Sequence, residues 1–102
     1  MASGTLGQAS LAAATNTTVY TIAATPTTFN VSMTNTTAIP VAVNLAVSLT
    51  GTPSAGEYLE YQTIILPNSV LERGGLVATA AKLVVAYATQ AGITVNVYGF
   101  EG

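Results

Sequence analysis

The chain has 102 residues, of which 50% are apolar and only 6% charged; it contains no His, Cys, Asp or Trp and carries a net charge of −2. Proton transfer, nucleophilic attack and metal binding rest mainly on His, Cys, Asp and tuned Glu or Lys, so this composition argues against an enzyme and against a metal or cofactor site. Arg73 and Lys82 are the only cationic side chains, too few for the several phosphate contacts of nucleic-acid binding, and no apolar stretch approaches the ~20 residues of a membrane helix.

The length suits one domain that buries roughly 60–70% of the surface its unfolded chain exposes. With charge so far below the usual share of about 25%, the outer surface must be built from Thr, Ser, Asn, Gly and Ala. Such a surface is suited to packing against neighbours rather than to life as an isolated monomer. The first residues have neither a basic segment nor a sustained apolar one, so no signal peptide is expected. Without one, the N-x-S/T matches at Asn16, Asn30 and Asn35 are expected to be chance products of a Thr-rich chain.

Residues 1–16 are small, with Leu6 and Leu11 as their only large apolar groups, and lack a helical pattern. They read either as a frayed terminus or as an extended arm that drapes over a neighbouring subunit. Residues 17–102 then form a single β-sandwich domain. Phe29, Val31 and Met33 alternate with Asn30, Ser32 and Thr34; beyond the polar turn Asn35-Thr36-Thr37, a second alternating run carries Val41, Val43, Leu45, Val47 and Leu49. The pair predicts a hairpin with one face on the core. Pro40, lacking an amide donor, is expected at the start of its strand or on an edge.

Ser54 and Glu57 have capping-box spacing, which predicts one helical turn over 54–58 at a change of sheet. Extended chain resumes over 59–66, turns at Leu66-Pro67-Asn68-Ser69 and runs on through 70–72 to a turn or bulge at Arg73-Gly74-Gly75. The runs 76–80, 83–88 and 93–100 predict a meander. Seven or eight short strands of this kind indicate a sandwich or barrel. In the last of them Ile93, Val95 and Val97 share one face and Tyr98 and Phe100 the other, so the strand should be central between layers or buried against another subunit.

Two clusters bear on chemistry. Glu57 and Glu60 are flanked by Tyr58 and Tyr61, and paired carboxylates are the tools of glycosidases, but no third group is present to orient them. The simpler expectation is that Glu57 caps a turn, Glu60 pairs with Arg73 or Lys82 or faces water, and the tyrosines pack their rings with hydroxyls at a polar rim; sugar binding by these aromatics is the other reading. In Leu71-Glu72-Arg73-Gly74-Gly75 the adjacent Glu and Arg point to opposite faces of a strand. Arg73 therefore seeks either Glu57 or Glu60 within the chain or a carboxylate across a subunit interface. Gly74-Gly75 leads into a strand, not the helix a phosphate loop needs. The candidate interface residues are Leu6, Leu11, Glu72, Arg73, Tyr98 and Phe100; no catalytic, cofactor-binding or metal-binding residue is assigned.

Several blocks carry a family likeness: Tyr20-Thr21-Ile22, Val31-Ser32-Met33-Thr34-Asn35, Glu57-Tyr58-Leu59-Glu60-Tyr61, the run from Leu66 to Val77, and Val95-Asn96-Val97-Tyr98-Gly99-Phe100-Glu101. From about Gly4 onward the chain resembles the small virion structural proteins of tailed bacteriophages, especially those of marine and cyanobacterial hosts. The central block, Leu66 to Val77, is the most specific part. The chain departs from that pattern at Thr36, where a basic residue is usual, and at Gly74, where a Thr is usual. The resemblance implies an all-β antiparallel sandwich, jelly-roll-like or Ig-like, with an extended N-terminal arm. It further implies a capsid decoration (cement) protein on the capsid exterior, with the major capsid protein and further copies of itself, as a homotrimer, for partners. A tail, baseplate or fibre module that binds host glycans through Tyr58, Tyr61, Tyr98 or Phe100 is the alternative it leaves open.

Overall fold

Strands whose side chains alternate between apolar and polar must bury one face and wet the other, and two such sheets satisfy each other by packing face to face. The structure, a computed structural model, describes residues 3–22 and 26–101. Its strands are β1 (Ser3–Ser10), β2 (Thr17–Thr21), β3 (Thr27–Asn35), β4 (Val41–Ser48), β5 (Tyr58–Ile65), β6 (Val70–Ala78), β7 (Leu83–Ala88) and β8 (Ile93–Glu101), with one 3-10 turn at Ala55–Glu57. Sheet A has the order β1-β8-β3-β6 and sheet B the order β2-β7-β4-β5. All pairings between these strands are antiparallel. The pairs β4·β5, β3·β6, β2·β7 and β1·β8 nest around the 3-10 turn like the rungs of one long hairpin. Rolling that hairpin into two layers gives a jelly roll, which decides between the two sandwich arrangements the sequence leaves open.

The core lies between the inward faces. Phe29, Val31 and Met33 of β3 and Ile93, Val95 and Val97 of β8 come from sheet A; Val41, Val43 and Leu45 of β4 and Val84, Ala86 and Ala88 of β7 come from sheet B, all within 1% of full burial. β8 is an interior strand of sheet A but does not lie between two layers, since its outer face leaves Phe100 67% exposed; Pro40 stands immediately before β4. The inner pairs β3·β8 and β4·β7 run in unbroken register. Each pair that contains an edge strand has at least one register shift. In β6 the shift falls where Gly74 and Gly75 were expected to turn or bulge: Phe29 faces Leu76 but Val31 faces Arg73.

Three expectations of connectivity are corrected. β3 and β4 do not form a hairpin; they lie in opposite sheets, joined by an arch. Alternation fixes which residues face inward, not which strand is the neighbour, and both strands turn their apolar sets toward the same core from opposite sides. The arch is held by Asn35, fully buried, whose Nδ2 donates to the carbonyls of Ile39 (2.8 Å) and Ile65 (2.9 Å) while Oδ1 accepts from the amide (2.9 Å) and hydroxyl (2.6 Å) of Thr37. Asn35 is therefore no glycan acceptor in the folded chain. The 3-10 turn, conversely, does not change sheets but closes the β4–β5 hairpin within sheet B. Finally, β6, β7 and β8 are no meander, since they alternate between sheets A, B and A.

Of the leader, Ser3–Ser10 is extended as β1 and lies along β8 of the same chain, from Ser3↔Phe100 to Ser10↔Thr94. Gly7 passes so close to β2 that a Cβ there would meet the Val19 carbonyl. Leu11, just beyond β1, is 2% exposed.

Candidate functional site

The sandwich offers two outer faces of different character. On sheet A, the residues between the buried positions of β8 point outward, and register sets them in rows across the sheet. Val77 of β6 and Phe100 of β8 flank Thr28 of β3; both are 67% exposed, and Tyr98 beside them is 37% exposed. Elsewhere this face carries Thr, Ser, Asn and Gln, together with Val70 and Glu72 of β6, and Gln8 donates to Asn96 at 2.7 Å. Gly99 lets β8 approach β3 so closely between these two aromatics that a Cβ would run into the Thr28 carbonyl.

The six residues singled out from the sequence do not form one surface. Tyr98 and Phe100 lie together on the outer face of sheet A, and Glu72 is exposed on β6 across that sheet. Arg73 turns the other way. Its Nη1 donates to Glu60 Oε2 at 2.8 Å, and Glu60 Oε1 also accepts from the Thr63 hydroxyl at 2.9 Å. Of the two readings of Arg73, the pair within the chain is the one made; it clasps β6, the edge of sheet A, to β5, the edge of sheet B. Leu6 is half-buried against the core and Leu11 belongs to it, so Leu11 offers no surface to a partner.

The outer face of sheet B carries an open cavity of about 290 Å³. Asn44 of β4, Tyr87 beside it on β7, and Tyr58, Tyr61 and Gln62 of β5 line it, with Asn16 ahead of β2, and none of its lining residues is charged. Tyr58 and Tyr61 meet edge to face, ring centroids 4.9 Å apart at 61°. A second open hollow of about 440 Å³ lies against the same two tyrosines and Ala55.

What shapes this cavity is a bulge. Between Val43↔Thr63 and Leu45↔Glu60 strand β5 holds one residue more than β4, and Gln62 takes up the difference in the left-handed region at φ +53°. Its amide donates to Asn44 Oδ1 at 2.7 Å. Consecutive strand residues ordinarily face opposite ways, yet here Tyr61 and Gln62 are both exposed. A matching device sits on the other sheet, where Gly75, at φ +68°, donates its amide to Asn30 Oδ1 at 3.0 Å.

Glu57 does not join these aromatics as a second acid. Its carboxylate accepts from the Ser54 amide (2.9 Å) and hydroxyl (3.2 Å), the Ser48 hydroxyl (2.9 Å) and the Leu49 amide (3.1 Å). These donors, the Ser54 amide foremost, hold its carboxyl at about 2, below the ordinary 4.5. It is thus the turn cap expected from the Ser54/Glu57 spacing. Nothing in the sequence assigns Asn16, Asn44, Gln62 and Tyr87 to a common site. Alternation along β4 does place Asn44 on the outer side of a Val-rich strand, but nothing in the sequence marks Gln62 as a bulge. No protein family, curated protein or solved structure matches this chain.

Proposed function

We propose that the chain is a non-catalytic building block of a phage particle: a capsid decoration protein that binds the outer lattice, bridges neighbouring major capsid protein subunits and stabilises them. The observation that carries this reading is the end of sheet A, where Phe100 and Val77 stand two-thirds exposed with Tyr98 on a face almost free of charge. Exposed large apolar side chains gathered at one end of a face commonly mark a contact surface, and covering their area is favourable by about 25 cal/mol per Å². The phage resemblance supplies the kind of partner. The jelly roll fits this role but is also a frame of lectin domains, so the site and not the fold carries the choice.

A lattice repeats its binding position many times, so several copies joined as a homotrimer engage it together, and modest single contacts add through effective concentration. Binding only to the assembled shell then stabilises that shell by mass action. The test is particle composition and heat resistance. The reading expects hundreds of copies on the head of purified particles, rupture at a lower temperature when they are stripped, and recovery on adding the wild-type chain but not a folded Phe100→Asp, Val77→Asp variant. A few copies confined to the tail would move the chain to a tail, baseplate or fibre role and overturn the decoration reading.

A further inference from the structure

The tyrosine-lined cavity on sheet B lies on the opposite sheet from the apolar end invoked above, and its chemistry is different. We infer that it is a binding site for a neutral saccharide, with Tyr61 as the stacking platform and Asn44, Gln62 and Tyr87 as the polar contacts. A sugar ring has an apolar face of C–H groups and a rim of hydroxyls that both donate and accept. It therefore asks for an exposed aromatic face beside groups of both hydrogen-bonding senses. Tyr61, 60% exposed, gives the first; the side-chain amides of Asn44 and Gln62 and the Tyr87 hydroxyl give the second.

The lining also discriminates among ligands. An anionic or cationic ligand finds no opposite charge, because no lining residue is ionised. A nucleotide would find rings for its base but no cation for its phosphate. A purely apolar ligand would strip water from three amides without replacing their hydrogen bonds. A neutral polyhydroxyl ring uses all of them. The volume, about 290 Å³, falls just below the roughly 300–1,000 Å³ typical of small-ligand sites, and the second hollow past Tyr58 and Tyr61 extends it along the sheet. The arrangement thus favours consecutive units of an oligosaccharide over one free monosaccharide.

A second observation points the same way. Left-handed backbone at a residue other than glycine is uncommon and carries strain, and bulges re-aim side chains beside functional sites. The strain at Gln62 turns Tyr61 and Gln62 out together, and the Asn44 side-chain carbonyl that pins it leaves the Asn44 Nδ2 to the cavity. At the matching bulge on sheet A the left-handed residue is a glycine, which carries no such strain. Of the described non-glycine residues with left-handed backbone, Ala14, Asn68 and Ala81 lie in turns and Gln62 alone lies in a strand, with a side chain to present.

The site is tested on the full chain by tyrosine emission, unmasked because the chain has no Trp, and by amide chemical shifts. The probes are maltohexaose, cellohexaose, xylohexaose and mannohexaose, each up to about 10 mM; soluble starch, β-glucan, xylan and mannan in affinity gels then show whether whole polysaccharide binds more tightly than its fragment. Binding of at least one neutral hexaose, with shifts confined to β4, β5 and β7, is expected. Tyr61→Ala should weaken it about tenfold, while Phe100→Ala on the other sheet should leave it unchanged. No shift with any probe overturns the inference, as does binding that Tyr61→Ala leaves intact. Because no capsid enters this assay, failure here and failure of capsid binding are read separately.

Discussion

Asn35→Ala removes the side chain on which the β3–β4 arch is built. One of its bonds, to the Ile65 carbonyl, is buried; the bonds to the Ile39 carbonyl and from the Thr37 amide are partly buried. Orphaning a buried group costs about 1–3 kcal/mol and losing a partly wetted bond about 0.5–1, so the sum is roughly 2–5 kcal/mol. That is a large share of the 5–15 kcal/mol a domain commonly has, and at about 5 °C per kcal/mol it lowers the melting temperature by some 10–25 °C. Urea unfolding followed by far-UV circular dichroism measures it, with Asn30→Ala as a comparison expected to lose only about 1 kcal/mol for its single bond to Gly75. Asn35→Asp adds a second reading. A carboxylate there would face two carbonyls, so its pKa is raised in the folded state, and the variant should regain stability as pH falls toward protonation. A loss below about 1 kcal/mol for Asn35→Ala at unchanged urea slope, or no acid rescue of Asn35→Asp, refutes the reasoning.

The depressed carboxyl of Glu57 contributes stability that is whole above its ordinary value of 4.5 and is lost as pH falls through about 2. Between about pH 6 and pH 2 the wild-type melting temperature should therefore drop further than that of Glu57→Gln, and parallel curves would contradict this. Arg73→Met leaves Glu60, 17% exposed, with Thr63 as its remaining side-chain partner; a loss of about 1–2 kcal/mol is expected, between the values for surface and buried pairs, largely cancelled when Glu60→Gln is combined with it in a double-mutant cycle. Gly99→Ala forces a Cβ into the Thr28 carbonyl and to 2.7 Å from the Phe29 Cα. At least about 3 kcal/mol should go with it, together with protection of the β3 and β8 amides from hydrogen exchange.

Much of the architecture could be read from periodicity because burial acts on single strands. Phe29, Val31 and Met33 face the core whichever strand lies beside them, and Ser54 and Glu57 are close enough in sequence to declare their turn. Pairing is a property of two distant segments, and the nested order of a jelly roll leaves no local mark; hence a hairpin was expected where Asn35 builds an arch. The same limit applies to the cavity. Tyr58 and Tyr61 announce themselves as neighbours, whereas Asn44 and Tyr87 arrive from 14 to 29 residues away by register, as the pairing Asn44↔Tyr87 shows. Leu11 stands out in the sequence as one of two large apolar groups in residues 1–16, which suggests an interface, yet it fills the chain's own core.

The broken rhythm of the outermost strands bears on edge-to-edge pairing between copies. Proteins commonly rely on like-charge repulsion to keep free sheet borders from zipping into fibres, a defence that six ionic side chains can scarcely mount. Here every border pair is interrupted while both central pairs are regular, so an incoming strand meets no long flat template. Misalignment takes over the task of repulsion at the borders, and the backbone of an outer strand offers no long run for endless stacking.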